Sequence, residues 1–528
     1  MSNRVSSFLP IRRTAAGISL LAIGSLLAAC GGGGNASQTS TNSSNGASSQ
    51  TLTIAVSGPP KSMDPSYADN GNGLYPMELT YAPLIWENPN GSLSPALATS
   101  WKYVGVGNTK FEVTLRKGVK FADGESVTPQ AVANSLNYFR NGSGPTTADL
   151  SGVTATVNSP DTVLLTSQKA DPIFPRLLSQ DFLAGDIISP KGLKDPKSLT
   201  ATPSGAGPYV LSTSGTVPDE QYTFTKNPLY YDAASLHYKT IVIKVITDPN
   251  SQLQALRTGQ INVMFGEAQQ VSAAKASGLQ VVNQGPVFWD GVFLLDRNGV
   301  HVKALASPLV RQALNYAVDR SAIAKAVWGV VGQPTDQPTT PGWDEYVPAL
   351  SNYYSYDPAK AKQLLAQAGY PHGFTITWIY AAFEAQTQEM VQAVAQDWTK
   401  IGVNVQLKAE PNITALVADQ NSDKYSAASL QWGGQPMFLQ AGECWLPNSV
   451  INPYHVAPQN FLTQFASASA APPAQINSAM ASLAAIPVKE AYTVPVAELS
   501  QVVFASQGVK GIPHEALGGH LDLLALGS

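Results

Sequence analysis

Charge is what this chain has least of. Only 13% of its 528 residues are Asp, Glu, Lys or Arg, about half of the usual quarter, so Ser, Thr, Asn, Gln, Gly and Pro carry the polar surface. The formal net charge of −4 excludes the strongly basic footprint of a nucleic-acid binder. Two cysteines, Cys30 and Cys444, cannot build a disulfide framework, and their separation offers no zinc box. The histidines His237, His301, His372, His455, His514 and His520 are scattered without H-x-x-x-H or H-E-x-x-H spacing, so the local signature of a metallohydrolase is missing. His514 and His520 lie in a glycine-rich stretch and are expected at the surface. There is no G-x-S-x-G elbow, and Cys444 has no sequence-local catalytic partner. No catalytic residue, metal site or cofactor is expected.

Long apolar runs are also scarce. The one at the N-terminus, Ala15 to Leu27, falls short of the ~20 residues a membrane span needs. Arg4, Arg12 and Arg13 precede it and Leu27-Ala28-Ala29-Cys30 follows, which is the order of a cleavable export signal. Residues 1–29 are expected to be removed. Leu-Ala-Ala-Cys resembles the lipobox of bacterial lipoproteins, in which the cysteine sulfur receives diacylglycerol, so Cys30 is the expected lipidation site. Gly31 to Gln50 contains no large apolar side chain and is expected to act as a flexible tether within residues 30–50. With Cys30 lipidated, Cys444 has no disulfide partner.

From Thr51 onward the pattern is that of a folded α/β protein. Leu52, Ile54 and Val56 alternate as a strand, as do Phe111, Val113 and Leu115, then Ile241, Ile243 and Val245, and then Ile261, Val263 and Phe265. Thr128-Pro129 reads as an N-cap with proline at the first helical position, opening a helix to Arg140. Asn250 or Ser251 is the expected cap of a helix stopped near Gly259. Ser307-Pro308 and Asp357-Pro358 open two more helices, and Met390, Val391, Val394, Trp398 and Ile401 form a helical stripe ending at Gly402. Val403, Val405 and Leu407 then alternate as a strand.

Several blocks together carry a family likeness. Pro95-Ala96-Leu97-Ala98 with Trp101, and Phe111 to Gly124 (FEVTLRKGVKFADG), resemble a "P-x-L-A-x-x-W … F-x-L-R-x-G-V-K-F-x-D-G" pattern. Gly205-Ala206-Gly207-Pro208-Tyr209 is close to a G-T-G-P-Y turn. Ala255 to Asn262 is similar to "A-L-x-x-G-E-I-D", with Gln260 and Asn262 replacing both acids, and Val310 to Arg320 (VRQALNYAVDR) is the most specific block. The chain resembles the extracytoplasmic solute-binding proteins of peptide-type ABC importers, often called family 5. The resemblance implies an α/β, two-lobed periplasmic-binding-protein-like (type II) fold with an extra subdomain inserted in the N-terminal lobe. Residues 51–288 plus 491–528 would form lobe I, with 84–203 inserted, and 289–490 would form lobe II. The blocks themselves read as structural: Asp123-Gly124 suits a tight turn, and Asp319-Arg320 an anchor at a helix end.

The resemblance further implies a monomeric receptor, held at the outer face of the cytoplasmic membrane, that passes a peptide or other small solute to ABC permease subunits. A sensor or chaperone-like lipoprotein of the same fold, and a secreted hydrolase, are the alternatives. Trp432 leads the expected ligand-facing residues, because Leu430-Gln431-Trp432-Gly433-Gly434 is similar to the family's tryptophan loop. Phe288, Trp289 and Asp290 lie at the expected first crossing, Tyr67, Asp69 and Asn70 follow the first strand, and Tyr380 follows another. Peptide binders of the family carry an acid shortly after the loop tryptophan, where it pairs with the peptide's ammonium. Here residues 433–437 supply none, and Glu443 is the nearest replacement.

Overall fold

The computed structural model of the chain describes residues 51–69 and 71–527. The expected signal, Cys30, the tether and Asn70 lie outside the described residues. Among the described residues no helix is long and apolar enough to cross a membrane.

A twelve-stranded sheet runs through the molecule. At one end Thr51–Val56 pairs in parallel with Thr240–Val245 and touches Val263–Gly266, while Gln221–Lys226 and Tyr209–Leu211 extend the edge. At the other end Thr375–Ala381 lies parallel to Asn404–Glu410 and to Ala427–Ser429. Two long antiparallel strands, Gln280–Leu294 and Thr493–Ala505, belong to both ends. The residues after Pro286 read Val287-Phe288-Trp289, then Val292-Phe293-Leu294, and from Trp289 to Leu294 every side chain is buried. Such a run needs cover on both faces. One face packs on a cluster containing Leu314, Trp378 and Trp398, the other on one containing Phe293, Trp445 and Phe461.

Between the first strand and Tyr209 the chain builds a separate antiparallel sheet in the order Ala98–Tyr103, Lys110–Leu115, Thr162–Ser167, Val153–Ser159. Helix Pro129–Phe139 packs on it, started as expected by Thr128, whose hydroxyl accepts the Ala131 N–H at 3.2 Å. Asp123-Gly124 forms the tight turn, with φ +90° at Gly124. Asp123 accepts the Glu125 N–H at 3.0 Å and the Ser189 hydroxyl at 2.6 Å, so it also ties the turn to a later segment.

One expected cap is corrected. Helix Pro249–Arg257 is capped by Asp248, not by Asn250 or Ser251. The Asp248 carboxylate accepts both the N–H and the hydroxyl of Ser251, at 2.7 and 2.6 Å, and Pro249 takes the first helical position where its missing N–H costs nothing. Asn404–Glu410 is a strand as expected, but at the sheet edge, where alternation buries little and Leu407 is exposed.

The VRQALNYAVDR block is interior. Helix Pro308–Tyr316 is followed by helix Arg320–Val327, capped by Asp319. Arg320 is buried and donates to the carbonyls of Thr335, Pro495, Asn315 and Tyr354 and to the Asn315 side chain, at 2.7 to 3.1 Å. It joins the crossing strand to the loop before Tyr354. Replacing it removes one cation and strands several buried acceptors. Arg320→Leu is expected to cost about 3 kcal/mol or more, read as a lower urea midpoint with an unchanged slope; a shift under about 1 kcal/mol would show the network to be dispensable.

Candidate functional site

The site lies where the long strands cross. Alternation along Gln280–Leu294 sends Trp289 inward, fully buried, and leaves Phe288 39% exposed. Opposite them Trp432–Gly433 returns as a two-residue strand, pairing Gly433 with Phe288 and Trp432 with Trp289. A cavity of about 420 Å³ opens here. One wall is Leu74, Asp181, Phe182 and His520; the other is Trp343, the 430–435 loop and Glu443, with Phe288 between them.

Of the expected residues, Phe288, Trp432, Gly433, Gly434 and Glu443 meet at this cavity. Trp289 and Asp290 are buried behind it. Trp289 packs on Phe293 with ring centres 5.0 Å apart. Asp290 accepts the Thr387 hydroxyl at 2.5 Å and the Gly291 N–H at 2.8 Å, and burial pushes its carboxyl up to about 7. Tyr380 is 8% exposed within a core cluster. Tyr67 is exposed, and Asp69 accepts the N–H groups of Gly71 and Gly73, shaping the turn that presents Leu74.

Gly434 has no room for a side chain. A Cβ there would sit 2.3 Å from the Thr340 hydroxyl and 2.5 Å from Trp343 Nε1, so glycine lets the aromatic wall close onto the loop backbone. Glu443 accepts from the Gln435 amide at 2.6 Å, and burial raises its carboxyl above the usual range.

The expectation that His520 lies at the surface is corrected; His514 is exposed. The His520 side chain is only 7% exposed. Nε2 stands 2.6 Å from Glu78 Oε2, and Nδ1 stands 3.2 Å from Asp181 Oδ1. Glu78, fully buried on helix Leu74–Thr80, also accepts the Leu523 N–H at 3.1 Å, so it pins the C-terminal segment to that helix. Burial disfavours the imidazolium, but the Glu78 charge and the contacts with both carboxylates outweigh it and hold His520 well above its ordinary range. Glu78, Asp181 and His520 were invisible as a group in sequence. A lone acid in the apolar run LYPMELT signals a buried partner, but that partner is more than four hundred residues away.

The family profile for bacterial extracellular solute-binding proteins, family 5 Middle, matches residues 92–442. This chain belongs to that family. The solute-binding protein is 28% identical to heme-binding protein A of Haemophilus influenzae over 429 residues, 73% of this chain and 75% of that one. It is 28% identical to the glutathione-binding protein GsiB of Salmonella choleraesuis over 372 residues, 67% and 69% of the two chains. Among solved structures it resembles HbpA2 of Haemophilus parasuis with a TM-score of 0.77 and 19% identity, over 90% of this chain and 99% of that one. The two-lobed fold implied by the motifs is therefore the fold of this solute-binding protein, and its place is extracytoplasmic.

Buried carboxyls make the solute-binding protein sensitive to pH. Asp290 and Asp171 are pushed up to about 7 by burial, and burial also holds Asp186 well above the usual carboxylate range. Each binds its proton more readily folded than unfolded, where Asp titrates near ~4, so stability falls as pH rises from about 4 through about 7. The His520 contribution is complete below about 6.5 and is lost as pH climbs through its raised folded value. The urea midpoint is expected to be higher at pH 5.5 than at pH 8. The stability gap between wild type and His520→Gln should be widest below pH 6.5. A midpoint that rises toward pH 8 would contradict the assignment.

Proposed function

We propose that the protein is the tethered receptor of an ABC importer, taking a peptide or related small solute between two lobes and handing it unchanged to membrane permease subunits. The observation that carries this reading is the cavity at the strand crossing, walled from both sides by residues far apart in sequence. Apolar area there supplies affinity while a few polar groups fix orientation. Phe288, Trp432, Gly433, Gly434 and Glu443 form the ligand-facing set, and Asp69 positions Leu74.

Lobe I takes residues 51–288 with 491–528 and the insertion 84–203, and lobe II takes 289–490. Closure turns on the crossing strands, whose pairing breaks register between Asn283 and Pro286 and again between Pro286 and Phe288. Gly285 adopts φ +79°, and Pro286 has no N–H to give the ladder. A ligand that touches both lobes favours the closed form by its differential affinity alone. The protein works as a monomer without catalysis, anchored through diacylglycerol on Cys30 after removal of residues 1–29.

Native mass spectrometry of freshly purified protein should reveal a bound small molecule, released chemically unaltered, and adding it back should shrink the radius of gyration in X-ray scattering. A rigid radius with every solute tried, or turnover of the molecule, would defeat the reading. For the anchor, Cys30→Ser should move the protein from the membrane fraction to the soluble extracytoplasmic fraction; unchanged membrane retention would show that the thiol carries no lipid.

A further inference from the structure

Two core clusters face each other across a gap. The antiparallel sheet built between the first strand and Tyr209 shares a core with Leu52 and Ile54, whereas Trp445, Phe461 and Ile476 belong to another cluster. Between them lies a cavity of about 620 Å³, lined by Trp101, Tyr103 and Arg176 from the first side and by Asp344, Pro473 and Asn477 from the second. A packed core leaves no such space. Tyr103 packs against both clusters, and around the cavity the two sides are held by individual side chains that can part without opening either core.

Asn108, in the turn between strands Ala98–Tyr103 and Lys110–Leu115, is 4% exposed and adopts φ +52°. Its side-chain amide donates to the Ser469 and Ala471 carbonyls, at 2.8 Å each. Ser469 ends helix Gln459–Ser469, and the last carbonyls of a helix have no partner within it, so this turn supplies from across the gap what the helix lacks. Arg176 makes the second contact. Glu87 and the Gly91 carbonyl, the latter at 3.2 Å, orient its guanidinium, which stands 5.2 Å from the centre of the Trp343 ring. The third contact is steric. Leu517, whose N–H donates to the Pro89 carbonyl at 3.0 Å, fits between Gly91 and Gly342, and a Cβ on either glycine would collide with it. Trp343 also lines the cavity at the strand crossing, so one indole is shared by this junction and by the cleft.

We propose that the segment carrying Asn108 and Arg176 is a latch that holds the two lobes together, and that the cleft opens to solute only when Asn108 leaves the Ser469 helix end and Arg176 leaves Trp343. The proposal rests on the receptor reading above and its lobe boundaries, but not on the identity of the solute. The crossing strands join the lobes, and the insertion sets how readily they part. Arg176 acts through Trp343 and is a positioning residue. Each contact is a hydrogen bond or a ring contact, small beside a core, so losing one shifts the balance of shapes and leaves the chain folded.

X-ray scattering on the mature full chain, without added solute, tests the latch. Asn108→Gly removes the amide and keeps the positive φ, which glycine adopts freely. Glu87→Gln leaves the Arg176 cation beside Trp343, and it is the control for Glu87→Gln combined with Arg176→Gln, which removes that cation without stranding a buried carboxylate. Asn108→Gly should have a larger radius of gyration than wild type, and the double variant a larger one than Glu87→Gln, all with wild-type circular dichroism. Trp343→Phe, which keeps a ring for Arg176, should expand less than Trp343→Leu. Unchanged radii in Asn108→Gly and the double variant, or equal expansion in Trp343→Phe and Trp343→Leu, would overturn the proposal. Unchanged radii together with a co-purified solute that still compacts the wild type would remove the latch and keep the receptor reading. Expanded variants of a wild type that no solute compacts would keep the latch and remove the receptor reading.

Discussion

The molecule depends on the pairing of two strands that each belong to both halves of the sheet. Gln280–Leu294 and Thr493–Ala505 keep antiparallel contact from Gln280 opposite Ala505 to Phe293 opposite Thr493, so neither half can drift away from the other. Yet the ladder is not continuous. Gly285-Pro286 interrupts it with a positive φ and a missing donor, so the place where the halves join is also the place where pairing is weakest. A rigid connection would hold one shape and a loop would hold none; the two strands are interrupted there yet stay paired on either side, with one further register shift between Asp290 and Gly291. Immediately beyond the interruption the strand alternates Phe288 outward and Trp289 inward, so the cavity wall and the core are set by adjacent residues.

Much of the fold was legible because its signals are local. Alternation of Leu52, Ile54 and Val56 needs only its own segment, and Thr128-Pro129 or Asp357-Pro358 caps a helix from within one turn. The cap of the helix at Pro249 was missed for a local reason too. Three polar residues around a proline, Asp248, Asn250 and Ser251, all have capping chemistry, and only the backbone decides which side-chain oxygen reaches the free N–H. The edge position of Asn404–Glu410 could not be read at all, because an edge strand and a covered strand share the same alternation.

The site was legible by halves. The tryptophan loop follows from a sequence motif and Glu443 from being its nearest acid, and both reach the cavity; of Phe288, Trp289 and Asp290, grouped by their place at the crossing, only Phe288 reaches it, and Tyr380, taken from the end of another strand, lies in the core. Proximity along a strand does not choose a face; the period of two does. The other wall, with Asp181, Phe182 and His520, comes from the segment before Tyr209–Leu211 and from the segment after Thr493–Ala505. Nothing local marks those positions. His520 in a glycine-rich stretch looks like surface until Glu78 is known to stand 2.6 Å away.

A chain with so little charge makes each buried ion informative. Arg297, Arg311 and Arg320 are buried on backbone carbonyls, Arg297 and Arg320 held down to about 10 by desolvation, and all three stabilise junctions within the scaffold. The carboxylates divide differently. Asp296 is buried but accepts three successive backbone N–H groups, from Val300, His301 and Val302, and is therefore fully satisfied within the fold. Glu443 has one neutral donor and an open cavity beside it. Scaffold ions are distinguished from ligand-facing ones by this completeness of their partners, not by burial alone. By that criterion Arg297, Arg311 and Arg320 serve the scaffold, whereas Glu443 is an ion at the cavity that the scaffold leaves with a single neutral donor.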